Sequence, residues 1–272
     1  MRLLPVVAAA EWGGEFEGAL DPINALFSFP PVIELEIAGL DLSINRTILI
    51  AWFMTLVAGA IFVLAFRDPK IVPGKLQSAC EAIVDFVRTE IAIAIIGPKG
   101  TRFVPLLTTM MVFVFFMNVA KITPFMMLPP TSRIAWPLFL ALISWLVFVG
   151  VGIKEQGFGH YFKELAFPPG VPKVLYLILT PIEIVSNLVL RPFTLMIRLF
   201  ANMVAGHILI VITLVTIHVF LPSMPVGWML GVFGLVASPL VFGFELLSIT
   251  LQAYIFTMLT AVYIASSVEP AH

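Results

Sequence analysis

Two charged residues stand inside the most apolar part of the chain. Between Pro192 and Val268 the sequence has no formal charge except Arg198 and Glu245. A charge at the centre of a membrane-spanning helix costs roughly 2.5–3.5 kcal/mol, so such residues usually carry a function and face a partner or water. The alternatives are an arginine that extends to the membrane interface, or a buried Arg198–Glu245 pair that only fixes helix packing.

Each of these charges lies within a stripe of polar side chains. On an ideal helix, the polar residues within about 40° of Arg198 are Asn187, Arg191, Thr194 and Asn202. On the next helix, the residues that share a side with Glu245 are Ser238, Ser248, Gln252 and Tyr263. An unpaired polar group in hydrocarbon costs several kcal/mol, so both stripes are expected to face protein or a water-filled cavity.

An antiparallel pairing of the two helices brings polar residues to matching depths. Arg198 and His207 are about 13.5 Å apart along one axis, and Gln252 and Glu245 are about 10.5 Å apart along the other. His207 can therefore meet Glu245, and the same register lets Arg198 meet Gln252. On an ideal helix His207 lies about 180° from Arg198, so it can also face a different cavity. A histidine beside a carboxylate can relay protons, and a histidine that only packs between helices is an equally good interpretation.

Three further titratable residues lie towards the ends of the first of these helices. Glu183 and Arg191 form either a polar entry funnel or a set of interfacial charges, and the sequence favours neither. His218 is expected at the opposite membrane interface. The sequence contains no phosphate-binding glycine loop, no His-Glu-x-x-His and no Gly-x-Ser-x-Gly, so we do not expect the chain to catalyse a reaction by itself.

The composition indicates which kind of structure must hold these residues. Of the 272 residues, 60% are hydrophobic and 11% are charged, against about 25% charged in an average soluble domain. This composition is typical of a polytopic membrane protein. The 15 basic and 16 acidic residues nearly balance, which excludes a basic nucleic-acid-binding surface. A single cysteine and four scattered histidines show no zinc spacing, so we expect no metal and no cofactor.

Uncharged stretches predict five membrane crossings, because each crossing needs about 20 apolar residues. The predicted spans are approximately residues 47–66, 103–120, 134–153, 174–220 and 228–267. Residues 75–97 combine charges with apolar residues at three- and four-residue steps, which predicts an amphipathic helix on the membrane surface. The last two stretches are nearly twice as long as a bilayer requires, so these helices must tilt strongly, curve or run partly in the membrane plane.

The expected fold class is therefore all-α, with one membrane domain over residues 47–272 and an extramembrane segment over residues 1–46. The first ten residues loosely resemble a signal peptide, and cleavage there is the less favoured alternative. Basic residues favour an outer N-terminus and a cytoplasmic C-terminus. The inner loops then carry Arg67, Lys70, Lys75, Arg88, Lys99, Arg102, Lys154, Lys163 and Lys173, and the outer segments carry Arg2, Arg46, Lys121 and Arg133.

One run of residues closely resembles a known signature. The run RPFTLMIRLFANMVAGH, from Arg191 to His207, resembles that of subunit a of the F-type ATP synthase. Residues 180–187 and 245–260 resemble the flanking parts of the same signature, and the resemblance is strongest over residues 176–268. There are two departures. Ala201 stands where glycine is frequent, and the spacing from Glu183 to Arg191 is one residue longer than usual.

The resemblance implies a stator subunit against which a ring of c subunits turns, each ring subunit carrying a membrane carboxylate. Arg198 occupies the position of the essential arginine, which attracts the deprotonated ring carboxylate and separates two offset half-channels. The implied proton path contains Asn202, His207, Glu245, Ser248 and Gln252 near the outer half-channel and Glu183, Ser186 and Asn187 near the inner one. In some members of this family, histidine and glutamate are exchanged between the positions of His207 and Glu245, which supports a contact between them.

The implied function is to convert proton flow into ring rotation and ATP synthesis, and to run in reverse as an ATP-driven proton pump. The implied partners are the ring of c subunits, the b-type subunits of the peripheral stalk and, indirectly, the soluble F1 sector, in a bacterial plasma membrane. The resemblance leaves open whether protons or sodium ions travel. Two alternatives remain from the residues alone: a secondary transporter that binds an anion at Arg198, and a scaffold in which Arg198 pairs with Glu245.

Overall fold

The computed structural model describes residues 31–33, 36–37, 40–41, 43–123, 126, 129–166, 176–221 and 227–268. Most of them lie in helices α1 (Arg46–Phe66), α2 (Lys75–Phe86), α3 (Val104–Val119), α4 (Ala135–Gln156), α5 (Phe158–Ala166), α6 (Tyr176–Val185), α7 (Arg191–Phe220) and α8 (Gly227–Val268). Among the residues that the structure describes, five helical segments are long and apolar enough to cross a membrane: Arg46–Phe66, Pro98–Val119, Ala135–Gln156, Ile178–Phe220 and Gly227–Val268. The predicted all-α polytopic membrane fold is confirmed.

In the described part of the chain before the first span there are four short strands, and the all-α prediction did not include them. They are β1 (Pro31–Ile33), β2 (Glu36–Ile37), β3 (Leu40–Asp41) and β4 (Ile44–Asn45). β1 pairs with β4 and β2 pairs with β3, both antiparallel. Each strand has only two or three residues, so these pairings leave the fold class unchanged. The signal-peptide-like first ten residues lie outside the described residues.

The predicted surface helix begins as α2 and continues as a π-helix over Val87–Ile96. Gly97, with φ of 83°, ends it, since a residue without Cβ adopts this conformation readily. Val87 and Ile91 are fully buried and pack in one cluster with Ile264 of α8, whereas Arg88 on the same turn is exposed. This segment therefore has one face on the helix bundle and one polar face.

The core that positions the polar residues lies where α3, α4, α7 and α8 meet. Its buried members are Met110 and Val114 of α3, Leu140 and Ala141 of α4, Leu195, Met196 and Leu199 of α7, and Ala253 and Phe256 of α8. Leu195 and Leu199 flank Arg198 in the sequence and are at most 2% exposed. These leucines pack this turn of α7 against the other helices. Arg198 lies beside the buried face of α7 and remains exposed.

A π-helical turn over Ser186–Leu190 joins α6 to α7 without interrupting the long span. A π turn holds one residue more than an α turn. It lies between Glu183 and Arg191, and the helix stays continuous through it. A straight helix of 43 residues is about 65 Å long, roughly twice the hydrocarbon thickness, so this span does not stand upright in a bilayer.

Candidate functional site

The polar residues of α7 and α8 meet around Asn202. Ser248 Oγ donates a 3.0 Å hydrogen bond to Asn202 Oδ1, and Asn202 Nδ2 donates a 3.5 Å hydrogen bond to Gln252 Oε1. Gln252 is 4% exposed, so this contact lies inside the protein. In the described structure no hydrogen bond joins Gln252 to Arg198. Asn202 takes that place because it lies one helical turn after Arg198 and faces α8.

Arg198 itself is exposed on the surface of the helix bundle. Within the described residues it forms no ion pair, since the two ion pairs found there are Arg102–Glu155 and Lys121–Glu245. Its exposed neighbours on this face of α7 include Thr194 and Ala201. The scaffold interpretation, in which Arg198 and Glu245 form a buried packing pair, is therefore contradicted.

Glu245 pairs instead with a residue that the sequence analysis missed. Lys121 Nζ donates a hydrogen bond to Glu245 Oε2, and the two side chains are 0% and 1% exposed. Lys121 was predicted in an outer segment, because it directly follows the uncharged run that ends at Ala120. The sequence signal that points to Lys121 is a single charge directly after a predicted span, three residues before a proline in the sequence.

His207 lies close to this pair. It is 2% exposed and directly follows Gly206, whose backbone packs against Lys121 and Glu245. The charge of Lys121 acts electrostatically on the imidazole. The structure therefore brings the two predicted residues, His207 and Glu245, into one buried polar region together with Lys121.

A second polar group lies before α7, in α6 and the π turn. Asn187 Nδ2 donates to the backbone oxygen and to Oε2 of Glu183, both at 2.9 Å, and Asn187 is 6% exposed. Ser186, which begins the π turn, is half-buried. Arg191 Nη1 donates to Ser266 Oγ at 3.0 Å. Glu183 and Arg191 thus each contact a neutral polar side chain.

Arg198 separates these two polar groups along the helix. Asn187 precedes it by 11 residues and His207 follows it by nine, so these two residues lie about 17 Å and about 13.5 Å from Arg198 along the helix axis. In the part of the chain that the structure describes, no three His, Cys, Asp or Glu side chains cluster closely enough to hold a metal ion. The arrangement is one exposed cation between two polar regions that contain titratable carboxylates.

Comparison with known proteins shows the family of the chain. The ATP synthase A chain family matches residues 48–265. The chain belongs to this family. It is 42% identical over 268 residues to ATP synthase subunit a of Frankia alni, covering 98% of this chain and 90% of that protein. It is 44% identical over 238 residues to the subunit a of Rhodococcus erythropolis (87% and 86%) and 37% identical over 250 residues to that of Magnetococcus marinus (90% and 92%).

Membership of the ATP synthase A chain family confirms the recognition made from the Arg191–His207 run and extends it to the earlier crossings. The chain is a multi-pass membrane protein and a subunit of a multi-subunit ATP synthase. Its function in that complex is proton translocation in the membrane sector, which drives ATP synthesis.

Proposed function

We propose that this chain is the stator half of a proton channel whose central residue is Arg198, facing the carboxylates of a ring of c subunits. One observation carries the proposal. Arg198 is a permanent cation on a membrane-spanning helix, yet it is exposed and has no ion-pair partner among the described residues. A guanidinium stays charged at any relevant pH, so its cost in the membrane requires a compensating partner, and a ring carboxylate supplies the opposite charge.

The surface around Arg198 is suited to another helix at close range. Thr194, Ala201 and Ala205 are all exposed on α7 and recur at three- and four-residue steps with Arg198. Small side chains let helix backbones approach closely within a membrane. A ring helix packed on this face brings its carboxylate within reach of the guanidinium, where a charge-assisted hydrogen bond can form.

The two polar regions on either side of Arg198 then serve as two offset half-channels. Towards the outside, the proton path contains Asn202, His207, Glu245, Ser248 and Gln252. Towards the cytoplasm, it contains Glu183, Ser186 and Asn187. Because Arg198 blocks direct passage between the two regions, a proton crosses only by binding a ring carboxylate, travelling around with the ring and leaving on the other side.

The gradient supplies the energy for this rotation, since one charge moving through 100 mV is worth about 2.3 kcal/mol. The soluble F1 sector uses the rotation to make ATP, and ATP hydrolysis reverses it into a pump. Besides the ring, the proposed partners are b-type subunits of the peripheral stalk. The bacterial relatives support a plasma-membrane location, and the excess of basic residues in alternate loops supports an outer N-terminus.

The proposal is tested by ATP-driven proton pumping in inverted membrane vesicles that carry the whole complex. Arg198→Ala is compared with the parent after the amount of assembled complex has been measured. Arg102→Ala is the control, because Arg102 forms a half-exposed ion pair with Glu155 away from the proposed path. We expect Arg198→Ala to assemble and to lose pumping at least ten-fold per complex, whereas Arg102→Ala pumps like the parent.

Two results would contradict the proposal. Normal pumping by assembled Arg198→Ala shows that this arginine has no part in coupling. Transport by the purified chain in vesicles that contain no ring favours the alternative of a self-contained transporter that binds an anion at Arg198.

A further inference from the structure

We propose that Lys121 is a positioning residue of the outer half-channel, which holds the carboxylate of Glu245 in place between α3, α7 and α8. The proposal rests on the proposed function, because it gives Lys121 a role only through the proton path that contains Glu245. Lys121 then acts in proton translocation without taking up or releasing the proton itself.

The contact between Lys121 and Glu245 joins residues 124 positions apart in the sequence. Lys121 follows the end of α3, where its backbone N–H donates to Asn118 O at 3.1 Å. The two side chains are almost fully buried. Removing one partner of such a pair leaves the other charge uncompensated inside the protein, so each residue fixes the place of the other.

Gly206 provides the third side of this arrangement. A Cβ at Gly206 would lie 2.5 Å from Glu245 Oε2 and 2.6 Å from Oε1. Real Cβ atoms do not approach carboxylate oxygens so closely, so any larger residue must displace the ion pair. Glycine at this position therefore lets the pair lie directly against α7, beside His207.

Lys121 is the cation that pairs with Glu245. Glu245 is the only formal charge on α8. From α7 the nearby titratable group is His207, and Arg198 lies about 13.5 Å further along that helix. Helix α8 also contacts α4 and the π-helix Val87–Ile96. These contacts lie towards the C-terminal end of α8, away from Glu245, as the Ser144–Thr260 hydrogen bond and the packing of Ile264 show.

A carboxylate that receives a proton from one side and passes it to another must keep a defined position, because small displacements of a reacting group lower transfer rates strongly. The side chains next to Glu245 in the sequence, Phe244 and Leu246, are exposed, so this turn of α8 is packed on only one side. Lys121 anchors this carboxylate to the end of α3. The consequence is that Lys121 affects the rate of proton transfer and not only the amount of complex.

The test measures ATP-driven pumping per assembled complex in inverted vesicles. Lys121→Met removes the charge and keeps the length of the side chain, and Lys121→Arg keeps the charge. Ser144→Ala is the matched control, because it removes a buried 3.0 Å hydrogen bond to α8 outside the proton path. We expect Lys121→Met to pump at least ten-fold more slowly per complex, Lys121→Arg to exceed Lys121→Met at least three-fold, and Ser144→Ala to match the parent.

If Lys121→Met does not assemble, variants that exchange the two charges test the proposal. Lys121→Glu and Glu245→Lys each place two like charges together, whereas the double variant restores one charge of each sign. We expect the double variant to exceed both single variants in assembly and in pumping. The proposal is overturned if it does not, or if assembled Lys121→Met pumps at the parental rate per complex, which is the result of a merely structural lysine.

Arg198→Ala in the same vesicles separates this inference from the proposed function. If Arg198→Ala pumps normally, the proposed function fails, and the role of Lys121 fails with it. If Arg198→Ala is inactive while Lys121→Met pumps like the parent, only the inference about Lys121 is overturned.

Discussion

Ser248 hydrogen-bonds to Asn202 at 3.0 Å and so joins α8 to α7 one helical turn beyond Arg198. The same asparagine donates to Gln252 at 3.5 Å, so both ends of its amide are used on α8. Asn202 lies four residues after Arg198, about 6 Å along the helix. This amide therefore helps to fix the depth of Arg198 relative to α8, and with it the position of the guanidinium that we propose to face the ring.

Replacement of Asn202 tests this relationship. Asn202→Ala removes both contacts with α8, whereas Ser248→Ala removes one of them. Hydrogen bonds between membrane helices contribute about 0.6–2 kcal/mol each, so we expect both variants to assemble. Pumping per complex should fall three- to ten-fold in Asn202→Ala and less in Ser248→Ala. Equal rates in Asn202→Ala and the parent would show that the amide does not position Arg198.

The Glu183–Asn187 contact makes a second prediction, for the inner half-channel. Asn187→Leu keeps the size of the side chain and removes both 2.9 Å hydrogen bonds to Glu183. Hydrogen bonds to charged groups are worth about 1.5–3 kcal/mol, so Glu183 loses its defined position. We expect passive proton conduction through complexes stripped of F1 to fall several-fold.

A matched control for Asn187→Leu is Thr213→Val, which makes a polar residue apolar on the same long helical span. Thr213 hydrogen-bonds only to Leu209 O within its own helix and lies outside the proposed path. Proton conduction in Thr213→Val should equal that of the parent. If Asn187→Leu also conducts protons as fast as the parent, Asn187 has no part in the proposed inner half-channel.

The single cysteine gives a prediction about the surface helix. Cys80 is 2% exposed on α2, and burial raises the pKa of its thiol. Thiolate is the reactive form, so little of it exists at neutral pH. We expect maleimide to label the native protein at least ten-fold more slowly than the detergent-denatured protein.

The control for Cys80 moves the thiol by two residues. Ser78 is exposed on the same helix, so the double variant Cys80→Ser, Ser78→Cys should be labelled rapidly in its native state. Rapid labelling of native Cys80 would mean that this face of α2 is not packed against the bundle.

The spans and the charged residues were predictable from the sequence because each depends on a local property. Apolar runs bounded by charges or prolines predict helices that cross the membrane. Arg198 and Glu245 stood out because a charge within such a run is costly. The π turn over Ser186–Leu190 was not predicted, because its residues are as apolar as the helix around them.

The partners of these charges were not predictable, because they depend on how distant segments pack. Lys121 lies at the end of a span, where a lysine that reaches the membrane interface and a lysine buried against Glu245 have the same local sequence. Arg198 and Gln252 have matching depths, but depth does not determine which side chain of a turn faces the neighbour. Asn202, a turn away, faces α8 and forms the contact.

Two glycines in α4 give a last prediction, because another side chain packs against one of them and nothing packs against the other. A Cβ at Gly152 would lie 2.7 Å from Tyr161 Cδ2, whereas a Cβ at Gly150 has nothing within 4 Å. Gly152→Ala must displace the buried ring of α5, at a cost of about 1–3 kcal/mol. Gly150→Ala is expected to be neutral or stabilising by up to about 1 kcal/mol. Thermal unfolding of the two variants, followed by loss of helical circular dichroism, measures the difference.

Tyr161 itself reports on the same contact. Burial raises the pKa of its phenol, against a smaller opposing effect of the Arg191 charge. A raised pKa means that the folded state loses stability as pH rises through it, because ionisation then requires the ring to leave its buried site. In Gly152→Ala the displaced ring is more exposed, so the phenol should ionise at lower pH than in the parent, as ultraviolet titration against a Tyr161→Phe reference would show. An unchanged titration together with unchanged thermal stability would mean that α5 does not pack on Gly152, and that the α4–α5 corner is held by other contacts.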